Sequence, residues 1–379
     1  MTAALSLRRP ISMLPVLRAA DCIPAHAGDE RCVLDVGAPR LVARGAVAIL
    51  LALRHARIGS GDEVLVPAFH CPSMVAPVRA AGAEPILYAI NEDLSADVAS
   101  LDRLVSRHTR ALLVAHLLGR IFDLSRIKAW CEDRGIVLIE DCAHTFFGAT
   151  AAGPVGSVGH YAVASPRKFF PIAEGGLLTS ATRDLADLAL PAATWGRSAR
   201  AAFRMVDTAV AYGRLRALAP LLGLAQRFRG ALRGKPAAQA SLQTSDSDPY
   251  EVELDVRQSD GLAGRAGRYL FNVGLIAARR RNYEQLVAGI DAAAAARVME
   301  MPPVRTFVPY VVPLLLADPQ KHFAQLKQLG VPMWRWEYSP RGVCKVTDLY
   351  SQSLVQLPCH QSLRPQDLER IIDAIRSLR

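Results

Sequence analysis

The sequence predicts an α/β protein, a mostly parallel sheet sandwiched by helices with a smaller C-terminal α+β domain behind it, and three observations carry this prediction. From Arg44 to Thr179, helical patterns alternate with short apolar runs, the signature of βαβ units. The 379 residues exceed what one core holds, since single cores stop growing near ~250–300 residues. A polar, small-residue stretch, KPAAQASLQTSDSD, interrupts the periodic pattern, which then resumes with a long helix. The division read from these is residues 1–255 for the large domain, with a basic helical insertion at about 197–247, and residues 256–379 for the small one.

The elements follow in order. GAVAILLALRHA is helical and leads through GSGDE to a strand at VLVP; PSMVAPVRAAGA is the next helix, before the strand EPILYAI. SADVASLDRLVSRH reads as a helix, RALLVAH as a strand, DLSRIKAWCEDRG as a helix and IVLIE as a strand. The short apolar runs suit parallel strands covered on both faces, and right-handed crossovers place the helices there. After a Gly-rich loop come two more short strands, HYAVAS and GGLLTS. In the C-terminal part, GLAGRAGRYLFNVGLIAARRRNYEQLVAGI is a long linking helix. The strand FVPYVVPLLL and the helices DPQKHFAQLKQLG and RPQDLERIIDAIRSLR complete the smaller domain.

Composition excludes several classes. Hydrophobic residues at 51% and charged residues at 21% supply a globular core, so disorder is not expected over most of the length. The seven cysteines are scattered, odd in number and never spaced CxxC, which argues against a disulfide framework or a zinc site and for a reducing cytoplasm. The opening MTAALSLRRPISMLPVLRAAD has an arginine pair but only a short apolar run, so no signal peptide is expected. Uncharged stretches such as Thr306 to Ala317 fall short of the ~18 residues that a membrane-spanning helix needs. The formal charge of +10 comes without a nucleic-acid-binding motif, so no nucleic-acid partner is expected. Much of the excess lies between Arg197 and Lys235, where nine basic residues face Asp207 alone. Two readings of that segment stand open. Its leucines, Leu215, Leu218, Leu221, Leu222 and Leu224, can pack on the protein and leave the arginines in water, or enter an anionic membrane surface as a peripheral contact.

In an open α/β sheet, ligands bind beyond the carboxyl ends of the strands, so polar residues placed there are the first candidates. Asp141 ends IVLIED, where a carboxylate can hold a protonated pyridine nitrogen; capping a helix or pairing in a loop are its competing roles. His144, three residues on, can donate to a ring oxygen. Lys168, in YAVASPRKFFPIAEGGLLTS, follows an apolar strand, where partial desolvation would lower its pKa toward nucleophilic use; a solvated surface lysine is the alternative. Ser165 offers a hydroxyl to a phosphate, and Arg167 is a competing candidate for it. Gly45 and Ala46 open a helix whose free amides make an anion site, with Arg44 adding charge.

The run GAVAILLALRHARIGSGDEVLVPAFHC, then AHLLGRIFDLSRI, IEDCAH, GPVGSVGH and SPRKFFPIAEGG, resembles in order and spacing the DegT/DnrJ/EryC1/StrS family of sugar aminotransferases. The resemblance covers roughly Arg44 to Ser180, with a looser echo toward the C-terminus. It implies fold type I of the pyridoxal-phosphate-dependent transferases, with Lys168 as the Schiff-base lysine, Asp141 on the pyridine nitrogen and His144 on the ring hydroxyl. The family's glycine–threonine phosphate pair matches Gly45 and Ala46. The chain departs from the pattern in three places. Ala46 lacks the hydroxyl, the segment from Gly159 to Lys168 is shorter by about two residues, and Cys71 stands where an aromatic often stacks on the ring. Phosphate binding is therefore expected to lean on Arg44, Ser165 and backbone amides, and stacking on Phe69, His70 or Cys71.

The resemblance implies amino transfer from an amino acid, glutamate first, to a nucleotide-linked keto sugar in polysaccharide or glycoconjugate biosynthesis, by a homodimer. A lysine at position 168 argues against the dehydratase relatives, in which histidine takes that place. The alternatives are a fold-type-I transferase or lyase acting on an amino acid, and a catalytically idle regulator that binds pyridoxal phosphate.

Overall fold

The computed structural model describes residues 9–22, 30–223, 254–259, 274–290, 295–336 and 338–378. The large unit begins with β1 (Arg40–Val42) and runs into α1 (Gly45–His55), in which every residue from Ala46 to Leu53 is buried. A helix apolar all round belongs inside, and each fully buried Leu or Ile there contributes about 1.5–3 kcal/mol. Next come β2 (Glu63–Pro67), α2 (Pro72–Ala81), β3 (Glu84–Tyr88), α3 (Val98–Leu104), β4 (Thr109–Ala115), α4 (Ser125–Glu132) and β5 (Val137–Asp141). Proline opens α2, and Gly82 closes it with φ +87°, a left-handed cap that favours glycine. A small hairpin of β6 (Ala149–Thr150) and β7 (Gly153–Pro154) precedes β8 (Tyr161–Ala164) and β9 (Gly176–Thr179).

The seven strands of the main sheet lie in the order β1-β9-β8-β5-β4-β2-β3. From β3 to β8 the neighbours are parallel, whereas β9 runs antiparallel to both β8 and β1, so the sheet is mostly parallel, as expected. Register places Asp141 between Ala115 of β4 and Val163 of β8. The last turn of β5 therefore opens at the carboxyl edge of the parallel strands.

After β9, α5 (Trp195–Ala211) carries the first part of the basic segment and packs inward through Ala201, Met205 and Ala209. Leu215 rests against the main core, while Leu221 and Trp195 are exposed. Leu224 and the basic residues beyond it, like the polar stretch 234–248, lie outside the described residues. Of the long linking helix, the described part is α6 (Leu275–Ile290).

A second sheet follows, built from β10 (Ala296–Val298), β11 (Val311–Leu316), β12 (Trp334–Arg335) and β13 (Leu354–Pro358), with α7 (Pro319–Gln328), α8 (Lys345–Ser353) and α9 (Pro365–Arg376). All its pairings are antiparallel, in the order β10-β11-β13-β12. One face packs on α6 and α9 through Leu314, Leu357, Leu286 and Ile371; Val311, Leu315 and Leu354 on the other belong to the core of the large sheet. The N-terminal segment crosses to this unit: Ile11 joins its core and Arg18 donates to Gln361 O at 2.7 Å.

Several boundaries differ from the sequence pattern. The helix expected over SADVASLDRLVSRH is only Val98–Leu104: the Asp97 carboxylate accepts the Ala99 N–H and caps its start, and Val105 turns extended at its end. The strand expected from Phe307 begins at Val311, after a tight helical turn at Val304–Thr306. The periodicity did not announce β1, the β6–β7 hairpin, β10, β12, α8 or β13; most are pieces of two or three residues, too short to show a period. No described helix is long and apolar enough to cross a membrane.

Candidate active site

One cleft of about 780 Å³, its open mouth included, sits where β4, β5 and β8 end against the start of α1. Arg44, Gly45, Ala46, Cys71, Asp141, His144, Ser165, Arg167 and Lys168 all line it, so the structure brings together the residues singled out from the sequence apart from two of the three stacking candidates. Phe69 and His70 do not line it. Phe69 packs on Trp336 with ring centroids 4.8 Å apart, and the His70 ring is held by the carbonyls of Pro67 and Ala68. From that loop Cys71 reaches the cleft, with Ser73 and Met74 beside it.

Asp141 is buried, and its Oδ1 accepts the Ala143 N–H at 2.8 Å. Burial raises its pKa, opposed by the charge of Lys168. A buried carboxylate of this kind holds its negative charge best with a cation opposite it. His144 has a defined tautomer: the Leu118 N–H donates to Nδ1 at 3.1 Å, so the ring proton sits on Nε2. Burial, and then the charge of Lys168, hold its pKa well below the usual imidazole value, which keeps the ring a neutral donor. Leu118 makes this bond from the left-handed region, φ +58°, at a strain of about 1 kcal/mol.

Lys168 ends a tight helical turn, Pro166–Lys168, directly after β8. Burial lowers its pKa, while Cys71 and Asp141 pull it up. Ser165, Arg167 and Arg44 stand on the same cleft beside the first turn of α1, whose leading amides have no partner within the helix. Arg167 has no hydrogen-bond or ion-pair partner among the described residues. Its pKa is lowered by burial and by the neighbouring charge of Arg44. The glycine pair of EGG lets this end close up. A Cβ on Gly176 would lie 2.2 Å from the carbonyl of Arg44, and the Gly175 N–H donates to Ala43 O at 2.9 Å.

Three further residues support the site without having been singled out. Glu140 is buried under the cleft; its carboxylate accepts from His116 Nε2, Gly156, Val158 and Gly159 at 2.7–3.1 Å, and from the Cys142 thiol at 3.9 Å. Burial alone would raise its pKa, but these donors outweigh it and the net direction is down. His116, Glu140 and Cys142 cluster tightly enough to suggest a metal, yet these donors already occupy the carboxylate. The visible signal was an acid set inside the apolar run IVLIED. Arg279 is wholly buried beneath Lys168, and its signal was an arginine on the apolar stripe Leu275, Tyr283, Leu286, Ile290 of α6. Tyr310 stacks on His144, centroids 4.3 Å apart at 20°, and its buried hydroxyl has no hydrogen-bond partner among the described residues. No sequence signal pointed to it, because it lies in the irregular segment just before β11, far from the cleft in sequence.

The fold is that of the fold-type-I pyridoxal-phosphate-dependent transferases. Spr1654 of Streptococcus pneumoniae in its PLP-form superimposes with a TM-score of 0.65 at 15% identity, covering 97% of this chain and 98% of that one. The DegT/DnrJ/EryC1/StrS aminotransferase family matches residues 40–236, just over half of the chain, and the protein belongs to that family. The GDP-perosamine synthase of Vibrio cholerae is 32% identical over 142 residues, 37% of this chain and 39% of that protein. The L-glutamine:2-deoxy-scyllo-inosose aminotransferase of Streptomyces kanamyceticus is 30% identical over 173 residues, 45% of this chain and 36% of that protein. The matched region thus spans about two fifths of the length of these curated relatives.

Proposed function

We propose that the protein is a pyridoxal-phosphate-dependent aminotransferase that moves an amino group from an amino acid, glutamate first, to a nucleotide-linked keto sugar in polysaccharide or glycoconjugate biosynthesis. The observation that carries this reading is the convergence of Asp141, His144 and Lys168 with an anion-binding end in one cleft. The donor set suits the cofactor group by group: a carboxylate for a pyridinium, a neutral N–H for a phenolic oxygen, an amine for an aldehyde, and arginines with helix amides for a phosphate. Bound there, pyridoxal phosphate supplies an aldehyde that takes up an amine and a ring that accepts the electron pair released at the substrate carbon.

The chain's own residues divide the remaining work. Asp141 keeps the ring nitrogen protonated by offering a charge that its burial would otherwise disfavour. His144 donates from Nε2 to the ring oxygen, its tautomer set by Leu118. Lys168 anchors the cofactor, and its Nζ, held toward neutrality by burial, is the base that takes the proton from the donor's α-carbon. Arg44, Arg167, Ser165 and the α1 amides hold the phosphate, which compensates for the hydroxyl that Ala46 lacks. Cys71 walls one side of the cleft in the place of a stacking aromatic.

The amino-sugar and amino-cyclitol names of the relatives support a keto-sugar acceptor. We also read the enzyme as a cytoplasmic homodimer, and α5 as packed on the enzyme rather than in a lipid surface, because its Ala201, Met205 and Ala209 are buried against the body. Mixing the loaded protein with single amino acids, then with nucleotide-linked keto sugars, tests the function. Loss of the cofactor's visible band with glutamate and its return with a keto sugar is expected. A band that no amino acid changes would defeat the proposal.

A further inference from the structure

A second cleft adjoins the first and shares Arg44 with it. Five arginines, Arg44, Arg197, Arg200, Arg204 and Arg257, line it against two carboxylates, Glu174 and Asp255. The backbone explains why they meet. Arg257 O accepts the Ala43 N–H at 3.2 Å, which sets Arg257 beside Arg44, and Glu174 precedes the glycine that bonds to Ala43 O. From above, Arg197, Arg200 and Arg204 point from one face of α5, at spacings of three and four, while Ala201 on that side packs inward.

Both acids are already engaged. Arg257 grips Glu174 with two nitrogens and reaches Asp255 Oδ2 at 2.8 Å, and Arg197 pairs with the same Asp255 oxygen. Among the described residues, Arg200 and Arg204 have no ion-pair or hydrogen-bond partner. They stand four apart on a helix, where like charges repel. Arg197 and Arg200 also lie in the N-terminal part of α5, which has no acidic residue in its first turn and where the helix dipole is already positive. An anion seated between these exposed guanidiniums would relieve that repulsion.

We propose that this cleft is a diphosphate subsite, in which Arg200 and Arg204 bind the two phosphates of the nucleotide-linked acceptor. Two guanidiniums spaced one helical turn apart suit adjacent phosphates, each able to take paired hydrogen bonds. The two acids, held by Arg257 and Arg197, stay out of the ligand's way. The proposal rests on the nucleotide-sugar reading above, and it assigns the part of the substrate that does not react.

The test is calorimetric titration of the full, cofactor-loaded protein with UDP, GDP and inorganic pyrophosphate, at low and moderate salt, for the parent and for Arg200→Ala/Arg204→Ala. The parent should bind all three in a salt-sensitive way. The double variant should bind each roughly tenfold or more weakly, with cofactor content at saturation and melting temperature like the parent's. Arg200→Lys/Arg204→Lys, which keeps the charge but loses the paired hydrogen bonds, should fall between. Equal affinity in parent and double variant overturns the proposal, as does a parent that binds none of the probes. So does a double variant that loses pyridoxal phosphate instead, which would give the cleft to the cofactor's own phosphate. Failure of the functional reading is seen separately, as absence of amino transfer by the parent to any nucleotide-linked keto sugar.

Discussion

The guanidinium of Arg279 donates from Nη2 to the backbone carbonyl of Lys168 at 2.9 Å, from a position with no solvent exposure. The same group reaches Pro309 O at 2.9 Å and Gln361 Oε1 at 3.1 Å, so α6 ties the lysine turn to the segment that carries Tyr310. Burial pulls its pKa down to about 10, and no carboxylate is among its hydrogen-bond partners. Arg279 is therefore a positioning residue for Lys168 and for the Tyr310 ring behind His144.

Arg279→Met should cost about 3 kcal/mol or more, because it strands several buried carbonyl oxygens. Thermal unfolding measures this loss. If positioning is the role, the visible cofactor band should also shift its pH midpoint, and Arg279→Lys should restore part of both. A variant that melts early but titrates like the parent would reduce Arg279 to a purely structural group.

Borohydride reduction of the loaded protein should fix the cofactor on Lys168, read by peptide mapping, after a band near ~410–430 nm has been seen. The sign of the pH dependence follows from burial, which lowers the lysine pKa. The neutral amine attacks the aldehyde, so capture of added cofactor should persist below the range of an ordinary lysine, whose pKa is ~10.4. Asp141→Asn removes a neighbour that raises this pKa, and should move the midpoint lower still. A label on another lysine would contradict the site.

Asp141→Asn should retain the fold and some cofactor while losing amino transfer by several orders of magnitude, since each ~1.4 kcal/mol lost in the transition state is tenfold. His144→Ala removes an orienting hydrogen bond and the Tyr310 stacking partner, and should lose less. Steady-state rates compare the two. Near-parental turnover in Asp141→Asn would refute the ring-nitrogen role.

His360 is buried, donates from Nε2 to Ser12 O at 3.0 Å and holds Nδ1 against the Ser362 hydroxyl at 2.9 Å. Burial drops its pKa to about 3, so it stays neutral when folded but binds a proton when unfolded below pH ~6.5. The stability it supports is complete above that unfolded value and declines as pH falls toward the folded one. Acidification should therefore cost on the order of 2 kcal/mol at pH 5 from this residue. Melting curves of the parent and His360→Gln between pH 7 and 5 should converge at the acid end. Parallel curves would remove His360 as the cause.

The alternation of helices and apolar runs from Gly45 to Thr179 is legible because each period lies within one local element, and the cleft residues were readable because they end strands or open a helix on one edge of that sheet. Short pieces such as β1 and β12 gave no signal, since two or three residues show no period. Glu140 and Arg279 were visible as charges misplaced on apolar faces, but what satisfied them was not.

By itself, then, the sequence determined the α/β class, the mostly parallel sheet and the chemical identities in the cleft, because all of these depend on local pattern and strand ends. Only the tertiary structure decided what those side chains are held by. The Leu118 N–H that sets the tautomer of His144, the Tyr310 ring stacked on it, and the Arg279 clamp on Lys168 come from segments 26, 166 and 111 residues away in the chain. Such contacts form only when segments distant in the chain close on one another, and no local pattern in a sequence records which carbonyl a buried arginine will find.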